Sequence, residues 1–136
     1  MMATDDMTGE ELADSLLRDV GNERMRAATR LLGAHRDGFW LRRFLDDQEL
    51  SDAAGNPLID SSGTHPSVDW TALGRLMLTL GWSRRSSSSE VAVPEFAASL
   101  VGSGAVQLQQ VIQAVDEGEF RLLVRALEEA AYGERR

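Results

Sequence analysis

The chain of 136 residues has no cysteine and no lysine, only three prolines, and eight aromatic residues in all. Without cysteine there are no disulfides, no thiolate zinc site and no cysteine nucleophile. No apolar run approaches the roughly 20 residues of a bilayer span, and the acidic N-terminus does not read as a signal peptide, so a cytoplasmic protein is expected. Phosphate loops are missing too. Gly102-Ser103-Gly104 matches neither G-x-G-x-x-G nor G-x-x-x-x-G-K-S/T, which argues against nucleotide binding. No set of His and carboxylate residues has metal-ligand spacing: the run Asp46, Asp47, Glu49, Asp52 lacks the alternation that wraps calcium. No cofactor and no metal is expected.

What remains is ordinary for one globular domain, with 43% hydrophobic and 26% charged residues. The net charge is −8, from 14 arginines against 22 acids. An acidic domain is a poor default binder of nucleic acid, because phosphate neutralisation supplies most of that affinity. The charge is uneven: −5 over residues 1–21, +4 over 22–45 and −5 over 46–66. A basic segment between acidic ones most simply meets oppositely charged neighbours within the fold.

Periodicity of 3.6 dominates the chain. Thr8 and Glu11 form a capping box ahead of Leu12, Leu16, Leu17 and Val20, closed by Gly21-Asn22. Met25, Ala28, Leu32 and His35 mark a second helix over about 23–35, with Arg26 and Arg30 on its far side. After Asp37-Gly38 the bulky stretch Phe39-Trp40-Leu41-Arg42-Arg43-Phe44-Leu45 forms one broad apolar face. Residues 51–66, with two Gly, two Pro and several Ser and Asp, read as a long central loop. Ser67 is the expected N-cap of the next helix. Pro94 belongs in a first turn, so a helix starting near Ala92 is expected, with the serines outside it. Val106, Leu108, Val111, Ile112 and Val115 mark another helix. The last places Phe120, Leu123, Val124, Leu127 and Ala131 on one stripe after an Asp116–Glu119 cap. The expectation is all-α: a compact single domain of six to seven short helices, as α-hairpins around one core. N-terminal helices span 8–50, the loop 51–66, and C-terminal helices 67–133.

The segment from Trp82 through Ser89-Glu90, Phe96-Ala97-Ala98-Ser99-Leu100, Val106, Leu108, Asp116 and Leu122 to Gly133 resembles one that recurs in uncharacterised actinobacterial proteins. The all-arginine basic set fits a high-GC bacterial genome of that kind. The resemblance implies no activity, because its motifs are helix punctuation.

Function is read mostly by elimination. A non-enzymatic helical module that binds another protein, or itself, is the leading expectation. Trp82 beside Arg84 and Arg85 is the candidate contact, since an exposed Trp next to arginine suits an interface hot spot. Arg26 and Arg30 are further candidates. The four serines Ser86–Ser89 after Arg84-Arg85 read as a solvated linker, or as a site for phosphorylation that folds back on arginine. Two alternatives stand beside this: a DNA-binding regulator using residues 23–45 as a helix-turn-helix, and a small hydrolase or metal-dependent enzyme around His35 and His65, paired with Asp37 or Asp69.

Overall fold

A computed structural model describes residues 6–79, 81–83 and 86–133. Among these the architecture is all-α, with eight helices and one two-residue antiparallel ladder: α1 Gly9–Ser15, α2 Glu23–Ala34, α3 Phe39–Asp46, α4 Gln48–Ala54, α5 Trp70–Met77, α6 Ser88–Leu100, α7 Leu108–Ala114 and α8 Glu117–Tyr132. The helix count exceeds the six to seven expected because α4 occupies residues assigned to the central loop.

The expected caps form at both ends of the chain. Thr8 and Glu11 close a capping box on α1, and Asp116 and Glu119 close one on α8. Leu12, Leu16 and Leu17 are buried, as their spacing implies, although α1 ends at Ser15 and Val20 is only half-buried. Asn22 caps α2, which is the hub of the fold: α1, α3, α6 and α8 all pack against it. Its crossing with α1 is close because two glycines meet there. A Cβ on Gly9 would overlap the Gly33 carbonyl oxygen, and one on Gly33 would lie 2.6 Å from the Ala13 methyl. Between α2 and α3 the backbone turns through a short 3₁₀ segment, His35–Asp37, with Arg36, Asp37 and Gly38 all at positive φ. The Asp37 carboxylate accepts from the Gly9 backbone N–H at 2.7 Å and so holds this costly turn against α1.

Three expectations about boundaries are corrected. The loop begins at Gly55 rather than Ser51, since Asp47 caps a helix through Ala54 and Gly55 at φ 79° ends it. Ser67 is not an N-cap: it lies in the ladder, where Ile59 pairs with Val68 and Asp60 with Ser67, and Asp69 caps α5 instead. The loop is further tied down by His65, whose backbone N–H and Nδ1 both lie 3.0 Å from the Asp19 carboxylate.

The third correction concerns Pro94. The helix α6 starts at Ser88, behind a Ser87–Glu90 capping box, and Pro94 sits inside it, fully buried. Proline cannot donate to the carbonyl four residues back, which here is that of Glu90. That carbonyl accepts instead from the Trp40 indole N–H at 2.8 Å. A tertiary donor therefore replaces the lost helical one, and Ser88 and Ser89 enter the first turn with Ser87 as its cap, leaving only Ser86 outside. Trp40 is the largest fully buried side chain, with Phe39, Phe44 and Trp82 around it at centroid distances of 5.3, 6.1 and 5.6 Å. The apolar face read for residues 39–45 is narrower than expected: Trp40, Leu41 and Phe44 are buried, whereas Leu45 is exposed.

Candidate interaction surface

The residues singled out from the sequence fall in several different places. Trp82 is half-buried, its ring tilted against Trp40, so most of it serves the aromatic cluster. Arg84 and Arg85 lie outside the described residues. Arg26 does not project freely from α2. Its guanidinium donates to the carbonyls of Leu17 and Val20 at 3.0 and 2.8 Å, satisfying the chain just past the end of α1. Arg30 is half-buried at a cleft of about 190 Å³ between α1, α2 and α8, where Glu10, Asp14, Arg125 and Glu129 also stand. Arg36, Arg42 and Arg43 of the basic segment are likewise engaged. Arg36 pairs with Glu90, and Arg42 donates to the Met7 and Asp37 carbonyls. Arg43 pairs with Asp47 at 2.8 Å and lies 4.9 Å from the Trp40 ring centroid. The Arg43 hydrogen bond holds the Asp47 carboxyl below its ordinary range, and the Ser87 backbone N–H does the same for Glu90.

The two histidines are held by separate carboxylates. His65 meets Asp19 near the surface, not Asp69. His35, at the C-cap of α2, places Nε2 2.7 Å from Glu119 Oε2 in the interior, with Asp37 exposed and turned toward Gly9. The His35–Glu119 pair joins residues 84 apart in sequence. Glu119 serves twice, because its other oxygen accepts from the Asp116 backbone N–H at 3.0 Å. His35 Nδ1 is buried with no hydrogen-bond partner, and His35 lines none of the clefts described here. The arrangement pins the start of α8 to the end of α2. Among the described residues no group of three or more His, Asp or Glu side chains is placed to hold a metal ion, and no helix is long and apolar enough to cross a membrane.

A second hollow, between α6 and α7, is lined by Val91, Val106, Val111 and several serines and glutamines, with Glu95 at its wall. Burial raises the Glu95 carboxyl above its ordinary value.

The surface that departs most from expectation is α8. The stripe Phe120, Leu123, Val124, Leu127, Ala131 was expected to face inward as one. The structure buries Leu123 and Ala126 against the body, together with Glu119, and leaves Phe120, Val124 and Leu127 exposed at 44%, 38% and 47%. Leu108 and Ile112, one turn apart on α7, are exposed at 64% and 58%, with Val111 turned inward. Solvated apolar side chains occur singly on any protein, but a run at consecutive helical turns marks a surface awaiting cover. The signal was present as a 4-3-4 spacing. What periodicity could not supply was which of two neighbouring stripes α2 would take. The one carrying Ala126 allows the closer approach.

No protein-family model, curated protein or solved structure matches this chain.

Proposed function

We propose that the protein is a helical interaction module whose docking surface is the outer face of α8. The observation that carries this reading is the row Phe120, Val124, Leu127, solvated although three helical turns could have buried it. Such a row is how amphipathic helices engage partner helices. One border carries the ion pair Arg121–Glu117, at 2.6 Å, the kind of polar edge that surrounds the apolar centre of a protein contact. Support also comes from the side chains the other readings would need. A DNA-binding reading of residues 23–45 would draw on Arg42 and Arg43 of α3, which already bind Met7, Asp37 and Asp47. A hydrolase would draw on His35 and His65, which are bound to different carboxylates.

A photo-activated cross-linking residue placed at Leu127 tests the reading in intact cells. Adducts are expected at position 127 and not at exposed Arg18, which lies just beyond the end of α1. Equal yields at the two positions, or none at 127, would overturn it.

A further inference from the structure

The groove between α6 and α7 is built from two stripes of equal spacing. Ser88, Val91 and Glu95 follow one another at 3-4 intervals along α6, and Gln107, Gln110 and Ala114 do the same from the cap of α7 onward. At that spacing each helix turns one continuous face to the groove. The hollow holds about 700 Å³, within the roughly 300–1,000 Å³ of sites that take small molecules. Its apolar part is aliphatic, from Val91, Val106 and Val111, and the hydroxyls and amides around it can each donate and accept.

One group in this lining lacks a complement. Glu95 is the single charged residue among those that line the groove. Among the described residues no hydrogen bond or ion pair reaches its carboxylate, and burial raises its carboxyl with nothing to offset it. The cleft between α1, α2 and α8 is different, because there Glu10, Asp14 and Glu129 stand with Arg30 and Arg125. An ionised carboxylate only accepts, and neither serine nor glutamine brings a counter-charge. A partly desolvated anion beside aliphatic side chains is completed by a cation carried on an apolar body.

We propose that the α6–α7 groove binds a small organic amine, with its ammonium group on Glu95 and its hydrocarbon part against Val91, Val106 and Val111. The ammonium supplies the charge-assisted hydrogen bond that the chain itself does not, and burial of its methylene groups adds the apolar share. No residue of α8 lines this groove, so the site is independent of the docking face proposed above.

The test uses n-hexylammonium, n-hexanol and hexanoate as probes, titrated at pH 7 into the full-length protein and followed by amide proton–nitrogen NMR. Hexylammonium is expected to bind with a dissociation constant on the order of millimolar, as suits so few atoms. Its shifts should centre on Val91, Glu95 and Val111. Hexanol and hexanoate carry the same chain without the cation and are expected to bind at least about tenfold more weakly. Glu95→Gln keeps the shape of the site and is expected to weaken hexylammonium about tenfold while leaving hexanol unchanged. Glu128→Gln removes an exposed acid on α8 and is expected to change nothing, which separates the site from general attraction to an acidic protein. Hexanoate binding as tightly as hexylammonium, equal losses in the two variants, or an absence of shifts in α6 and α7 at ~20 mM amine overturns the proposal.

Discussion

At the scale of the residue, buried or half-buried polar groups are where this fold is most exposed to change. Glu95 stands in the wall of the α6–α7 groove with its carboxyl raised by burial. A folded-state value above the ordinary 4.5 means that the charged form is penalised in the native protein. Below pH 4.5 the group is protonated in both folded and unfolded chains and costs nothing. The penalty grows as pH rises from 4.5 and is complete above the folded-state value. Glu95→Gln is therefore expected to stabilise the protein modestly at pH 7, with the gain fading to zero toward pH 4. Urea titrations at several pH values read this directly. A gain that persists in acid would locate the effect in packing rather than in charge. Glu119 is the opposite kind of residue: a nearly buried carboxylate with a partner on each oxygen, one of them a histidine. Its capping role was legible in the sequence, because Asp116 is only three residues away. Its pairing with His35 was not, because nothing local marks a contact across 84 positions.

At the scale of the element, local rules decided most helix starts, and tertiary contacts decided where they failed. Thr8 and Asp116 cap where the capping-box spacing predicts, and Asn22, which the sequence places in the turn closing the first helix, caps α2. Pro94 predicts a helix start near Ala92, because the sequence does not disclose that an indole will supply the missing donor. That substitution makes a testable linkage between α3 and α6. Trp40→Phe leaves the Glu90 carbonyl unpaired and is expected to cost roughly 1–3 kcal/mol beyond the lost ring volume. Pro94→Ala restores a backbone N–H that can reach the same carbonyl. In that background Trp40→Phe is expected to cost less by about 1 kcal/mol, a coupling that a double-mutant cycle in denaturant would measure. Additive costs would mean that the Trp40 hydrogen bond does not compensate for proline. The α8 stripe teaches a related lesson. Its periodicity announced an apolar face, but the choice of the Leu123–Ala126 side for burial belongs to the surface of α2, another part of the chain.

At the scale of the whole molecule, the question is whether the two halves around the central loop fold together. Composition favours a long loop within one domain over a boundary between two marginal units, without reporting on the packing itself. The packing bears on it through α2, which belongs to the first half by sequence yet contacts α6 and α8 of the second more extensively than it contacts α3. The buried His35–Glu119 pair and the Trp40–Glu90 hydrogen bond cross the same divide. Each half alone would leave one member of both pairs without its partner and would expose the faces of α6 and α8 that α2 covers. Leaving a buried polar group without its hydrogen-bond partner costs roughly 1–3 kcal/mol, a sizeable part of the 5–15 kcal/mol typical of an entire domain. The chain is therefore expected to unfold in one cooperative step. Tryptophan fluorescence, reporting on Trp40, Trp70 and Trp82, and far-ultraviolet circular dichroism, reporting on all helices, should give coincident transitions. A fragment comprising residues 67–133 should lack stable helical structure on its own and gain it on mixing with residues 6–66. Separated transitions in the intact chain, or an isolated C-terminal fragment that melts cooperatively, would show instead that α2 docks onto a unit already formed.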